Sequence, residues 1–521
     1  MSDTTPTVTS EESEVRRRGA FSSRNVFILA AMGSAVGLGN IWRFPYVAYD
    51  NGGGSFIIPY IIALLVAGIP FLFLDYVLGH RFRGSPPLAW ARLTRWAEGI
   101  GWWQVMICIV IAIYYAAIIG WAGYYAVLSI SKGWGDSPGD FLTGSFLNAA
   151  DPGLTLSFEP NVLIPLAIVW LVILVVMALG VQKGVGASSA VFIPLLFVIF
   201  IVLVIQALML PGAADGLNAF FTPNWAALLV PTVWVAAFGQ IFFSLSVGFG
   251  IMITYASYLG RKEDLTGSGL VVGFANSSFE LLAGIGVFAA LGFMSQASGQ
   301  AIDEVVESGL ILAFVAFPTI INEAPAGNLL GVLFFISLVL AGITSMISIV
   351  EVVISSVRDK FELKRLTAVL VVVIPMAVIS MLLLGTNTAL YALDVMDHFI
   401  NSYGILLSAI VSMLVAVWFS RRAPVLRHHI NSVSSMKVGL WWVVLLGIVT
   451  PVVLVASLAQ ALIEDILTPY EDYPAWLLGV LGWGVAIAAV VLGFLATAVP
   501  WRDRDALRDP MLPEPSTPTL K

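Results

Sequence analysis

Two short runs of glycine and serine stand out because each interrupts a long apolar stretch of the chain. They read GSAVGLG at residues 33–39 and SLSVGFG at residues 244–250, so that VGLG in the first run returns as VGFG in the second. A helix in lipid should avoid such clusters, because unsatisfied backbone groups are costly in hydrocarbon. We therefore predict two membrane-spanning helices that unwind at these runs.

Unwinding would present backbone groups to a ligand in the middle of the membrane. The amino end of a half-helix attracts a carboxylate, and the carboxyl end attracts an ammonium group. Carbonyl and hydroxyl oxygens also suit a hard cation such as sodium. A zwitterionic amino acid together with sodium fits this arrangement. Close glycine packing between helices is the alternative, but two clusters at equivalent positions favour a transporter binding site.

The composition limits which proteins can carry these runs. Of the 521 residues, 59% are hydrophobic and 11% are charged, whereas a soluble globular protein has roughly 25% charged residues. This deficit excludes a water-soluble enzyme. The net charge of −7 gives no basic surface for nucleic acid. A single cysteine excludes an internal disulfide and a multi-cysteine metal site.

Apolar segments long enough to cross a bilayer, about 20 residues each, recur along the chain. We predict twelve spans, near residues 26–49, 55–79, 103–130, 161–180, 189–210, 232–258, 270–293, 329–357, 366–384, 391–419, 438–463 and 475–499. Of the 25 Lys and Arg residues, 23 fall on the side of the amino terminus. The positive-inside rule then places both termini in the cytoplasm. We expect a multi-pass protein of the plasma membrane, and the lack of a disulfide favours a bacterial inner membrane.

The spacing of the two glycine runs also predicts an internal repeat. They lie about five spans apart, and a unit with an odd number of spans must insert in opposite orientations. The predicted fold is therefore all-α and polytopic, with an inverted five-helix repeat (helices 1–5 and 6–10) and two extra helices. We assign the cytoplasmic tails and the units in between as residues 1–24, 25–210, 211–420, 421–500 and 501–521.

Longer motifs extend these runs and carry a family resemblance. They read GSAVGLGNIWRFP at 33–45, NGGG at 51–54, IPY at 58–60, GQIFFSLS at 239–246 and AGITS at 341–345. Over about residues 18–500 the chain resembles the neurotransmitter:sodium symporter family, most closely its bacterial leucine transporter branch. The resemblance implies the inverted-repeat fold and sodium-coupled uptake of an amino acid by alternating access.

The resemblance also implies two sites for sodium as a co-transported ion, with no cofactor. The first sodium would be bound by the substrate carboxylate, by the Ala35 carbonyl and by the side chains of Asn40, Ser244 and Asn276. The second would be bound by carbonyls and hydroxyls from two helices, namely Gly33, Val36, Ala341, Thr344 and Ser345.

The substrate, by the same resemblance, would lie between the broken helices and two neighbouring spans. Tyr115 would donate its hydroxyl to the carboxylate, and Phe249 would cover the cavity. The full set is Ser34, Ala35, Leu38, Gly39, Ile111, Tyr115, Phe243, Ser244, Ser246, Phe249, Ser345 and Ile349.

Charged residues near both ends of this path resemble the gates of the family. Arg43 and Asp397 would form the external gate. Arg18 and Asp359 would form the cytoplasmic gate, supported by Tyr258, although Phe21 stands where the family usually has Trp.

Three buried acids affect the coupling. Chloride-dependent relatives have Ser where this chain has Glu280, so we expect this carboxylate to replace chloride. Glu351 and Asp75 are either hydrogen-bonded structural groups or sites that add a proton to the cycle.

Selectivity follows from the residue at position 37. Gly37 stands where monoamine transporters of the family have Asp, so a substrate with its own carboxylate, an amino acid, is favoured. The apolar cavity side chains indicate a neutral, hydrophobic L-amino acid, although one methylene is worth only ~1–3 kcal/mol and does not identify which one.

Two other functions remain to be weighed. A proton-coupled amino acid permease of the same fold is the alternative. It would be expected to replace the ligands of the second sodium with a cation such as Lys, whereas Thr344 and Ser345 are intact. A membrane-embedded enzyme lacks support, because the four histidines are not at ligand spacing within a span. We expect His428 and His429 to face lipid headgroups. The oligomeric state is left open.

Overall fold

The apolar stretches fold into helices, which satisfy every backbone group within one segment. The computed structural model describes residues 20–305, 310 and 312–511. In chain order its main helices are α1 (Arg24–Ala35), α2 (Leu38–Asp50), α3 (Gly54–Phe82), α4 (Pro86–Leu93), α5 (Arg95–Leu128), α6 (Pro160–Ala178), α7 (Val181–Leu208), α8 (Ala213–Phe221), α9 (Pro231–Ser244), α10 (Ile251–Ala256), α11 (Leu265–Ser298), α12 (Leu312–Glu323), α13 (Gly327–Phe361), α14 (Arg365–Leu384), α15 (Ala389–Phe419), α16 (Ala423–Val433), α17 (Leu440–Asp472) and α18 (Ala475–Ala496).

The pattern of spans confirms an all-α, polytopic membrane protein. Ten helices in the described part of the chain are long and apolar enough to cross a membrane: α3, α5, α6, α7, α11, α13, α14, α15, α17 and α18. The two other predicted spans are each broken in two, as α1 with α2 and α9 with α10. These are the spans in which the glycine runs predicted unwinding.

The first break separates α1 from α2 at Val36 and Gly37. Both residues have extended backbone angles, and the two half-helices meet at an angle of 55°. The side chain of Asn40 accepts a hydrogen bond from the Gly37 N–H at 2.9 Å. This bond satisfies a backbone group that the break would otherwise leave without a partner in the membrane.

The second break lies between α9 and α10 and depends on glycine. Ser246, Gly248 and Gly250 have φ values of 52°, 87° and 87°. Glycine adopts this left-handed region without the clash that a Cβ would cause. Side chains from two neighbouring helices satisfy a carbonyl that this break frees. Gly248 O accepts from Ser408 Oγ of α15 at 2.7 Å and from Gln104 Nε2 of α5 at 3.3 Å.

The helices form an inner set and an outer set around the two breaks. The most apolar windows of α5, α11 and α13 are 72–78% buried, whereas those of α6, α7 and α14 are 33% buried. Of the inner helices, α11 and α13 pack against α1 and α2, and the outer helices present apolar side chains to their surroundings.

A layer on the predicted cytoplasmic side joins α16 to the end of α3 and corrects one expectation. His428 is exposed, but His429 is buried, and its Nε2 lies 2.9 Å from His80 Nδ1. The prediction that His429 faces lipid headgroups is therefore wrong. The contact arises because α16 folds back onto α3, which the local sequence does not reveal. Burial, with Arg81 and Arg83 nearby, lowers the pKa of His429 to about 4.

Candidate substrate and ion site

One cavity lies where the broken helices meet α5, α13 and α15. It encloses about 70 Å³. Eleven of the twelve residues predicted to contact substrate line it, and Ser244 does not. The complete lining is Ser34, Ala35, Gly37, Leu38, Gly39, Asn40, Ile111, Tyr114, Tyr115, Phe243, Ser246, Phe249, Ser345, Ile349, Asp397, Asn401 and Ile405.

The polar part of the cavity has one end suited to each charge of a zwitterion. At the amino end of α2, the Leu38 N–H donates to Tyr115 Oη at 3.3 Å, which leaves the Tyr115 hydroxyl hydrogen available to another acceptor. At the carboxyl end of α1, Ser34 O accepts from Ser246 Oγ at 2.8 Å and Ser345 Oγ at 3.3 Å. The partial charges of these helix ends favour a carboxylate at the first and a cation at the second.

The side chains predicted for the first sodium form one connected cluster. Asn40 Nδ2 donates to Asn276 Oδ1 at 2.8 Å, and Asn276 Nδ2 donates to Ser244 Oγ at 2.9 Å. All three residues are buried. Ser244 thus belongs to this cluster behind the cavity wall, which explains why it does not line the cavity itself. Ala35 ends α1 and lines the cavity beside Asn40.

The residues predicted for the second sodium meet where α1 passes α13. Ser345 Oγ donates to Gly33 O at 3.2 Å, and Thr344 Oγ1 donates to Ala341 O at 3.0 Å. An ideal Cβ on Gly33 would lie 3.1 Å from Thr344 Cβ, so the two helices approach closely here. Val36 follows directly on the end of α1. The structure therefore brings these oxygen-bearing groups together on adjacent helices.

The external pair is separated in this conformation. Among the described residues, Arg43 and Asp397 form no ion pair within 4.0 Å. The Arg43 guanidinium instead lies over the Phe243 ring, with its carbon 4.4 Å from the ring centroid. Asp397 accepts a hydrogen bond from Asn401 Nδ2 at 2.7 Å. The two residues predicted for the outer gate are therefore not bonded to each other.

The cytoplasmic pair can be followed on one side only, because Arg18 lies outside the described residues. Asp359 accepts a hydrogen bond from the Ser85 N–H at 2.9 Å. Tyr258 donates to Glu351 Oε1 at 2.7 Å, and its ring packs edge-on against Phe21. Phe21 therefore takes part in aromatic packing at the position where the family usually has Trp.

The three buried acids have different surroundings. Glu351 accepts two hydrogen bonds from the Arg365 guanidinium, at 2.8 and 2.7 Å, which favours its reading as a structural ion pair. Glu280 accepts from Gln240 Nε2 at 2.7 Å and from Tyr60 Oη. Asp75 Oδ2 accepts weakly from a backbone N–H at 3.4 Å, and its Oδ1 has no partner within the described chain.

Sequence reasoning missed three cavity residues: Tyr114, Asn401 and Ile405. A signal for Asn401 existed, because it lies four residues after Asp397 and so shares a helix face with it. Tyr114 precedes Tyr115, and consecutive helical residues ordinarily point in different directions. Both tyrosines nevertheless line the cavity. This depends on how α5 is placed against the other helices, which the sequence does not give.

Comparisons with known proteins agree with this geometry. The sequence profile of the Sodium:neurotransmitter symporter family matches residues 18–150 and 137–502. A sodium-dependent transporter of Methanocaldococcus jannaschii is 42% identical over 84% of this chain and 89% of its own length. A rat sodium- and chloride-dependent taurine transporter is 30% identical over 91% of this chain and 83% of its own length. A mouse sodium- and chloride-dependent neutral and basic amino acid transporter B(0+) is 29% identical over 92% of this chain and 85% of its own length.

Proposed function

The chain belongs to the sodium:neurotransmitter symporter family, and from that premise we propose that it imports a neutral, apolar L-amino acid together with sodium, independently of chloride. The family uses sodium as a co-transported ion and its members are transporters, not enzymes. The observation that carries the proposal is the cavity between opposed half-helix ends, next to the cluster of Asn40, Asn276 and Ser244.

The lining of the cavity, which encloses about 70 Å³, supports the substrate class. Ile111, Phe249 and Ile349 supply apolar walls, and none of the described residues that line the cavity carries a basic side chain for an acidic substrate. Among the relatives are transporters named for taurine and for neutral and basic amino acids.

The proposal has three further parts. Two sodium ions accompany each substrate, the ions and the substrate bind at the sites described above, and the carboxylate of Glu280 replaces chloride. We also propose that residues 25–210 and 211–420 form the two inverted five-helix repeats around the cavity and that residues 421–500 add the two extra helices. The protein would lie in the plasma membrane of a bacterial cell with both termini in the cytoplasm, in agreement with the distribution of Lys and Arg.

The test is a thermal-shift screen of the purified protein with the twenty amino acids. Each is measured in sodium gluconate, sodium chloride and choline chloride. We expect stabilisation by one or a few neutral amino acids in both sodium salts and none in choline. Tyr115→Phe should reduce the shift because it removes the hydroxyl at the carboxylate end, whereas the control Tyr124→Phe should not, because Tyr124 stacks on Phe146 away from the cavity.

The outcomes separate the alternatives. No response to any amino acid in sodium contradicts the proposal. Stabilisation in choline that depends on pH supports the proton-coupled permease instead. The intact hydroxyl residues Thr344 and Ser345 favour sodium, because Ser345 Oγ donates to Gly33 O of α1 and Thr344 lies against Gly33.

A further inference from the structure

The carboxylate of Asp397 is held by an uncharged partner on the wall of the cavity. Asn401 Nδ2 donates to Asp397 Oδ1 at 2.7 Å. Tyr114 lines the cavity together with both residues. Asp397 therefore has a hydrogen-bond donor without any contribution from Arg43.

Arg43 packs against an aromatic ring instead of pairing with Asp397. Its guanidinium lies over the Phe243 ring at 4.4 Å, a cation–π arrangement. The positive charge is near enough to Asp397 for electrostatic attraction, yet no ion pair within 4.0 Å joins these two described residues. A move of either side chain would be needed to form the pair.

The spacing along α15 explains how Asn401 reaches Asp397. The two residues lie four apart, about one helical turn, which brings their side chains onto the same face. Asn401 and Ile405 both reach the cavity from α15, one and two turns after Asp397.

We propose that Asn401 is a positioning residue of the outer gate, which holds Asp397 away from Arg43 until the cavity is occupied. A hydrogen bond from a neutral amide to a carboxylate is weaker than the charge-assisted bond from a guanidinium. The amide can therefore keep the carboxylate in place without preventing a later exchange. When substrate fills the cavity, Asp397 turns from Asn401 to Arg43 and the path to the outside closes.

This inference rests on the proposed function, since it gives Asn401 a part in the transport cycle. It predicts that Asn401→Ala increases the fraction of molecules in which the outer gate is closed. Without the Asn401 hydrogen bond, Asp397 pairs with Arg43 instead. Release of bound amino acid to the outside should slow by roughly tenfold, the change produced by loss of one hydrogen bond to a charged group.

The first measurement is the dissociation of radiolabelled amino acid from purified protein in sodium chloride, using the amino acid identified by the screen. The variants are Asn401→Ala, Asn401→Ser and the control Ser402→Ala, whose side chain is absent from the cavity lining. We expect slower release from both Asn401 variants and wild-type release from the control. The slowing should disappear when Arg43→Ala is combined with either Asn401 variant, because the competitor for Asp397 is gone.

The second measurement needs no substrate, so it separates this inference from the proposed function. A cysteine introduced as Ile111→Cys would lie in the cavity wall on α5, and its reaction with a small thiol reagent in sodium reports an open outer path. Native Cys108 is fully buried and gives the background. Asn401→Ala should slow this reaction roughly tenfold, again only with Arg43 present.

Unchanged or faster release and labelling in the Asn401 variants would overturn the inference, as would slowing that persists without Arg43. If Asn401→Ala lowers the melting temperature too far for purification, the labelling of Asn401→Ser decides. A wild-type protein that binds no amino acid but shows the Arg43-dependent labelling change would refute the proposed function and leave the gate in place.

Discussion

Gly39 faces the ring of Phe243, and a Cβ built on Gly39 would overlap that ring. Both residues line the cavity. We therefore expect Gly39→Ala to push Phe243 into the substrate space and to lower amino acid affinity at least tenfold. Equilibrium binding of the labelled amino acid checks this. Gly239→Ala is the matched control on α9, because nothing lies within 4 Å of its added Cβ; equal affinities of the two variants would contradict the argument.

Glu280 is a second residue whose type we expect to decide a property of the transporter. It is fully buried, and Gln240 and Tyr60 donate hydrogen bonds to its carboxylate. Glu280→Ser removes this negative charge. We expect the variant to bind substrate about tenfold more weakly in sodium gluconate than in sodium chloride.

The wild type provides the comparison for Glu280→Ser, since it should bind equally in both salts. A thermal-shift titration in the two salts measures the difference. If the serine variant also ignores chloride, the carboxylate does not stand in for the anion, and the proposal of chloride independence loses its basis.

At the scale of elements, the break between α9 and α10 depends on the fit of Gly250 against α4. An added Cβ would lie 2.5 Å from Pro86 Cγ, and the φ of 87° is already unfavourable for other residues. Gly250→Ala should therefore lower the melting temperature and abolish substrate binding. Gly299→Ala is the control: it has a similar φ of 72° but open space around it, so it isolates the backbone strain of about 1–2 kcal/mol.

The spans and the two breaks were predictable from the sequence for a simple physical reason. Lipid demands continuous apolar helices, so that glycine runs such as residues 33–39 are visible as exceptions. The side-chain partners were less predictable. Arg365 stands just before the predicted span 366–384, yet it reaches back to Glu351 on α13. Such a pair depends on the turn between two helices and on how they pack against each other, which hydrophobic patterns alone do not specify.

The docking of α16 onto α3 makes stability depend on pH. The pKa of His429 is about 4 in the fold, below its ordinary value of 6.5, because burial and the nearby Arg81 and Arg83 disfavour the charged form. Between pH 6.5 and about 4, the His429 imidazole is protonated in the unfolded chain but stays neutral in the folded chain. Stability should therefore fall as the pH drops from 6.5 to 4.

Melting temperatures across this pH range test the contribution of His429. His429→Gln should flatten the decline, because the residue no longer titrates. His428→Gln, at the exposed neighbouring position, should leave the decline as it is in the wild type. A decline that is identical in all three proteins would assign the pH dependence to other groups.

At the scale of the whole molecule, the two ends of the substrate path differ. On the predicted cytoplasmic side, Phe21 packs against Tyr255 and Tyr258, and Asp509 beyond the last span pairs with Arg81 of α3. On the predicted outer side, Arg43 and Asp397 are not bonded to each other. One end is packed and the charged pair at the other end is not formed, which is an asymmetry that the proposed alternating access requires.

The proposed coupling sets how far such a molecule can concentrate its substrate. One charge crossing 100 mV yields ~2.3 kcal/mol, and a tenfold sodium gradient adds ~1.4 kcal/mol. Two sodium ions with a zwitterion then supply about 7.4 kcal/mol, which corresponds to an accumulation of roughly 10⁵-fold, whereas one ion supports only about 500-fold. The two stoichiometries are therefore well separated at equal driving force.

Proteoliposomes with an imposed potential of about 100 mV and a tenfold sodium gradient measure this ratio. We expect the internal amino acid to exceed the 500-fold ceiling of a single ion, provided that leak is kept low. Thr344→Val, which removes an oxygen of the proposed second site, should bring accumulation below that ceiling, whereas Thr319→Val on α12, whose hydroxyl bonds only to Val315 O, should not. A wild-type ratio that stays below the ceiling when leak is negligible would mean that the chain couples one sodium ion, and that the oxygens gathered around Thr344 serve the packing of α1 on α13.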